Sequence, residues 1–153
     1  MKKILSIAAA LLIVLTGCAS SGNIKDVDVQ KIADELINTI TFQDEMSELN
    51  QDTAIGIFGI ETDDVVKAAV YESTGATAEE VAAFECKDEQ AAGRIKKKAE
   101  DRIETQRTGF QDYMPAEMEK LKDPVLIQQG KYVILCVSDD NETAKQTIDQ
   151  FFS

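Results

Sequence analysis

Arg102, Gln106 and Tyr113 are the residues best placed to do chemistry, because their spacings return to one side of an α-helix beside Ala99 and Phe110. An arginine and a glutamine that flank an apolar stripe need hydrogen-bonding partners if they are buried. Two readings follow. Arg102, Gln106 and Tyr113 line a polar pocket that binds a carboxylate or an amide-bearing ligand. Alternatively, Arg102 pairs with Glu80 or Glu85 and caps a sheet edge, which is the expectation favoured here. Tyr113-Met114-Pro115 reads first as a helix stop with a packed tyrosine, and second as a ligand contact.

Other oxygen- and sulfur-bearing clusters point to less. Asp139-Asp140-Asn141-Glu142 and Glu61-Thr62-Asp63-Asp64 each offer four oxygen-bearing side chains. Neither has the alternating acids and turn glycine of a calcium loop, so capping explains the first and a turn the second. No metal and no cofactor are expected. The chain contains no histidine, which excludes Ser-His-Asp and Cys-His catalysis and His-ligated zinc. Paired-carboxylate hydrolysis stays chemically open. Cys86 and Cys136 lack Cys-x-x-Cys spacing; two inert buried thiols are expected, with a disulfide or redox pair as the alternatives.

The start of the chain carries a different kind of signal. Lys2 and Lys3 precede an apolar run from Ile4 to Val14 that only Ser6 interrupts. About a dozen residues suits a signal-peptide core and falls short of the roughly 20 that span a bilayer. Leu15-Thr16-Gly17-Cys18 follows, and it resembles the lipobox of bacterial lipoproteins. That resemblance implies cleavage between Gly17 and Cys18 and a diacylglyceryl group, such as one carrying palmitate, on the Cys18 thiol. Two acyl chains anchor stably, at about 0.8 kcal/mol per buried CH₂. The expected organisation is a signal peptide at 1–17, a lipidated cysteine with a polar tether at 18–26, and one domain at 27–153. The domain would be tethered to the cell membrane on its extracytoplasmic face.

Acids outnumber bases by 28 to 16, and removing residues 1–17 takes away two lysines and no acid. Such a surface repels nucleic acid and anionic head groups. It favours solubility and cations or basic partners. The expected partner is an envelope protein or a small ligand.

The elements that must position these groups are legible in the hydrophobic pattern. Val29, Ile32, Ala33, Leu36, Ile37 and Ile40 form one face of a first helix, capped by Asp26 or Asp28. Residues 42–59 read as broken helical turns anchored by Leu49, Ile55, Ile57 and Phe58. Residues 65–72 and 81–87 read as strands, although Thr77-x-x-Glu80 mimics a helix capping box. Asp88 opens a long helix that must stop at Met114, because the residue before Pro115 disfavours helical geometry. Pro115 then starts a short helix to about Leu121. Residues 125–128 and 132–137 flank Gln129-Gly130-Lys131 as a hairpin, and Asp139 caps a terminal helix whose inner residues are Ala144, Ile148, Phe151 and Phe152. The order is α-β-β-α-β-β-α, a two-layer α+β domain with a mainly antiparallel four-stranded sheet. The strand-strand-cap-helix unit occurs twice, aligning Cys86 with Cys136.

From Asp64 onward the chain resembles a family of small uncharacterised lipoproteins of clostridial-type Gram-positive bacteria that share a domain of unknown function. The resemblance rests on Glu79-Glu80-Val81-Ala82-Ala83-Phe84, Lys87-Asp88, Arg102-x-x-x-Gln106-x-x-x-Phe110-x-x-Tyr113-x-Pro115, Gly130-x-Tyr132 and Ser138-Asp139-Asp140. It implies the lipoprotein class and the domain, and no activity. The expected function is a noncatalytic protein-interaction or binding module. The alternatives are a small-ligand or metal-binding lipoprotein and a carboxylate-based hydrolase. The anchor is directly testable: Cys18→Ala should abolish labelling with radioactive palmitate and leave the precursor uncut, whereas a labelled mutant would remove Cys18 as the lipid site.

Overall fold

The computed structural model describes residues 25–153; the expected signal peptide, Gly17 and Cys18 lie outside the described residues. The chain folds as an α+β domain around an antiparallel sheet, as the pattern of strands and helices implies. Helix α1 (Val29–Thr39) is capped by Asp28, whose side chain accepts from the Gln30 N–H. Strand β1 (Ser47–Leu49) and helix α2 (Gln51–Phe58) follow. Strands β2 (Val65–Glu72) and β3 (Glu80–Cys86) lead into the long helix α3 (Glu89–Tyr113), which Asp88 caps. After Pro115 come a 3₁₀ turn, helix α4 (Met118–Lys122), strands β4 (Val125–Gln129) and β5 (Tyr132–Val137), and helix α5 (Asn141–Phe152).

The spatial order of the sheet is β1-β2-β3-β5-β4, with every neighbour antiparallel. Five strands form where four were expected. The added strand, β1, has three residues, exposed at Ser47 and Glu48 and half-buried at Leu49. A segment so short and polar has no alternation to betray it, and so residues 42–59 resolve into a strand as well as a helix. Two glycines set the turns. Gly59, at φ 60°, ends α2, and the Ile60 N–H reaches back to the Ile55 carbonyl at 3.0 Å, the six-to-one bond that closes a helix in the left-handed conformation. Gly130, at φ 55°, opens the two-residue loop of the β4–β5 hairpin, where a positive φ matches the twist of the strands.

Helices cover both faces of the sheet. The reason lies in β3 and β5, which are apolar at both parities. Ala82, Phe84, Cys86, Val133, Leu135 and Val137 face one core together with Phe58 of α2 and Ala92, Ile95, Ala99 and Ile103 of α3. Val81, Ala83, Ile134 and Cys136 face a second core with Ile32 and Leu36 of α1 and Ala144 and Ile148 of α5. A strand apolar on both sides must be covered on both sides.

The internal echo holds in the sheet and fails in the helices. The second strands of the two units, β3 and β5, do pair at the sheet centre, with Val81 opposite Cys136 and Phe84 opposite Val133. The cysteines aligned by sequence nevertheless point to opposite faces, and the helices that follow them pack on opposite faces too. The terminal helix also departs from expectation at its cap. Asp140, not Asp139, accepts from the Thr143 N–H at 2.9 Å. Asp139 instead accepts from Gln43 at 2.5 Å. α3 does end at Tyr113, with the Met114 N–H still bonded to the Phe110 carbonyl.

Cys86 and Cys136 are both free and buried, and burial pushes each thiol up to about 12. A thiol so placed has little thiolate at neutral pH and behaves as a small apolar residue. In protein carrying Cys18→Ser, neither thiol should react with a disulfide reagent while folded, and both should react promptly in denaturant. Fast labelling of either in the folded state would show that its core is open.

Candidate functional site

The expected trio divides. Arg102 and Gln106 meet at the wall of one cavity of about 180 Å³, and Tyr113 stands away from it. Tyr113 is 70 % exposed and touches the ring of Phe110, with centroids 6.4 Å apart. The cause is length. α3 has 25 residues and so runs about 37 Å at 1.5 Å per residue, whereas the 7 residues of β3 run about 23 Å. The last turn of α3 overhangs the sheet.

The cavity lies where the β2–β3 connection meets the C-terminal half of α3. Glu72, Ser73, Gly75 and Thr77 form one wall. Arg102, Thr105, Gln106, Gly109 and Phe110 form the other. Glu72 and Glu80 are register partners across β2 and β3, which places their side chains on one face, close together. Arg102 joins them. Its Nε donates to Glu80 Oε2 at 3.0 Å, and its second terminal nitrogen donates to Glu72 Oε1 at 2.5 Å. The Arg102 guanidinium also lies over the Phe58 ring, 5.8 Å from its centroid. Gln106 Nε2 donates to the same Glu80 oxygen at 2.7 Å. Its Oε1 is out of solvent and has no hydrogen-bond partner among the described residues.

Arg102 thus pairs with Glu80, one of its two expected partners, and with Glu72, which the sequence did not suggest. Glu85 belongs elsewhere: Lys131 donates to it at 2.7 Å. Glu80 is fully buried, and burial raises its carboxyl above the ordinary range even though Arg102 and Gln106 pull it down.

A second buried cluster braces the loop from behind. Glu79 accepts from the backbone N–H groups of Gln43 and Asp44 and from the Thr77 hydroxyl. Lys120 lies 3.4 Å from Glu79 and 3.0 Å from Glu117, and Glu117 accepts from the Ala78 N–H at 2.9 Å. Sequence reasoning missed these residues. The Glu117-x-x-Lys120 spacing is a helical ion-pair signal, but it sits in a 3₁₀ turn and a single turn of helix, too short to show a pattern. At the other end of the sheet, Arg94 and Lys87 grip the buried Asp64, and they hold its carboxyl far below the usual range. Asp64 was expected in a turn, and it is the last residue of a 3₁₀ turn. Asp139-Asp140-Asn141-Glu142 serves as a cap and loop contact, and no group of three or more Cys, Asp or Glu side chains suited to a metal ion occurs among the described residues.

Residues 38–138 match a family described as a domain of unknown function (DUF4358). The chain belongs to this family. No curated protein and no solved structure matches it. The DUF4358 match spans all five strands, α2, α3 and α4, and every residue of the cavity wall falls within it.

Removing the arginine isolates a buried acid. Arg102→Met should cost about 3–5 kcal/mol, the usual penalty for leaving a buried charge unpaired. The sign with pH follows from Glu80. Because its folded pKa is raised, its contribution is fully present below the unfolded carboxyl pKa and is lost as pH rises through the folded value. Without Arg102 the folded pKa climbs further, so the deficit should be largest at pH 7.5 and shrink toward pH 5. Urea unfolding midpoints at the two pH values measure this; a deficit that is constant or grows on acidification would deny Glu80 the assigned role.

Proposed function

We propose that this chain is a bacterial lipoprotein, anchored through Cys18 to the extracytoplasmic face of the cell membrane, whose folded part is a noncatalytic binding module. The observation that carries the binding reading is the unpartnered Oε1 of Gln106 at the wall of the cavity. A buried polar atom without a partner is costly, and a ligand donor that drew it toward the cavity would relieve that cost. The anchor reading is supported by Leu15-Thr16-Gly17-Cys18 after a short apolar run, and by the resemblance to lipoproteins of clostridial-type Gram-positive bacteria. No described helix is long and apolar enough to cross a membrane.

The position of the cavity fits a tethered receptor. Asp26, at the end of the tether, accepts from the Tyr132 hydroxyl at 2.7 Å, and the Val27 N–H donates to that tyrosine's hydroxyl oxygen. Tyr132 begins β5, and Glu80 pairs with Val137 at the far end of that strand. Five residue steps separate the two ends, about 17 Å of strand. A domain held at Asp26 therefore carries its cavity at the end remote from the tether.

One observation favours a second reading, a carboxylate-based hydrolase. Glu72 and Glu80 face each other near a cavity, and Glu80 has the raised pKa of a general acid. Against it, Glu80 is fully buried behind Arg102 and Gln106, and both acids bond the same guanidinium, which holds them as ion-pair partners. A photo-crosslinking residue at Thr105, on the cavity rim, should trap a specific adduct in native membranes that the same residue at Gln146 on α5 does not. Glycoside or ester turnover that Glu72→Gln abolishes would replace the binding reading with the hydrolase.

A further inference from the structure

The ligand chemistry written into this cavity is the reverse of the one its arginine first suggests. An arginine beside a pocket ordinarily points to a carboxylate. Here Arg102 is already engaged by two carboxylates, Glu72 and Glu80. The three side chains together carry a net negative charge when ionised. The surroundings deepen it. Asp44 accepts from the Thr74 N–H and hydroxyl on the loop that forms the cavity wall, and Lys120 behind that loop is outnumbered by Glu79, Glu117 and Asp139.

Acceptors are what the cavity has to spare. Glu72 is one-third exposed, and only its Oε1 is engaged by Arg102, leaving Oε2 without a partner among the described residues. Gln106 Oε1, nine-tenths buried with its residue, also lacks a donor. Phe110 and Gly109 supply an apolar side on which a short hydrocarbon stem can lie. Size sets the upper limit. A volume of about 180 Å³ is well under the roughly 300–1,000 Å³ of drug-sized sites, so it admits a side chain or a small amine rather than a nucleotide or a sugar.

We propose that the cavity binds an alkylammonium group, presented either by a small free amine or by a lysine side chain of a peptide. The ammonium lies against Glu72 Oε2 and draws the Gln106 amide oxygen, buried in the free protein, toward it, and its stem lies along Phe110. This rests on the reading of the cavity as a binding site and adds the charge of what it binds.

Titration of the folded protein, followed by amide NMR shifts of Gly75, Gly109 and the Gln106 side chain, tests the assignment. The probes are n-butylammonium, an acetylated and amidated Gly-Lys-Gly peptide, n-butanol and butyrate. n-Butylammonium should give saturable shifts at those amides, with butyrate giving none. Glu72→Gln should weaken its binding about tenfold. Gly109→Leu is the control for folding. A side chain at Gly109 meets open space, with no heavy atom within 4 Å of its Cβ, and leucine favours a helix over glycine. That variant should stay folded and lose the shifts by filling the cavity. Saturation by the peptide as well identifies a protein lysine as a source, and saturation by butylammonium alone identifies a free amine. Preferential binding of butyrate or butanol overturns the cationic assignment and leaves the binding reading standing. Absence of shifts with all four probes overturns both.

Discussion

The pairing of β3 with β5 at the centre of the sheet is the constraint on which the rest of the fold depends. Both strands are apolar at odd and even positions, so their pairing leaves two hydrophobic surfaces, each needing cover. Burying a single valine, leucine, isoleucine or phenylalanine contributes about 1.5–3 kcal/mol. Phe84, Val133 and Leu135 on one side and Val81 and Ile134 on the other are all fully buried. The small residues Ala82 and Ala83 between them let α3 and α1 approach opposite faces of one strand. α3 answers with small residues of its own, Ala91, Ala92 and Ala99, so its backbone lies close over Phe84 and Leu135.

Once α3 is laid down in that way, the placement of the charged groups follows. Asp64 meets Arg94 near the start of the helix, and Glu72 and Glu80 meet Arg102 two helical turns later. Each pair ties the helix to a strand end, one at each end of the β2–β3 hairpin. Such pairs are poor sources of net stability, because desolvation offsets much of the attraction. Their effect is positional. They fix how far α3 slides along the sheet, and that register decides which helical residues stand over the β2–β3 loop. Gln106 and Gly109 then face the cavity, while Tyr113 passes beyond the sheet.

The sequence made the long, periodic elements legible. The α1 stripe at Val29, Ile32, Ala33 and Leu36, the Asp88 cap and the Pro115 stop are local signals that tertiary contacts did not override. β3 was harder, since Thr77-x-x-Glu80 offers a helix start; Thr77 instead bonds Glu79 in the loop, and Glu80 enters the strand. β1 gave no signal, because two exposed residues and one half-buried one acquire strand geometry only by lying against Val70, Tyr71 and Glu72. The helix faces were hidden for a different reason. Strands apolar on both sides carry no record of which helix covers which surface, so Cys86 and Cys136 could be aligned in sequence and still point apart.

The cavity shows the same division between local and assembled information. Helical spacing was enough to bring Arg102 and Gln106 to one wall, and the demand for a buried partner narrowed the choice to Glu80 or Glu85, of which the fold uses Glu80. Glu72 could not be found in that way, because its place opposite Glu80 depends on the register of β2 against β3. Yet Glu72 alters the chemistry of the site. With one carboxylate, the Arg102 guanidinium would be balanced, and its free donors would invite an anion. With two ionised, the positive charge is more than cancelled, and the second acid is partly exposed and keeps an oxygen that Arg102 does not engage. The polarity of the site is therefore a property of strand register rather than of any motif.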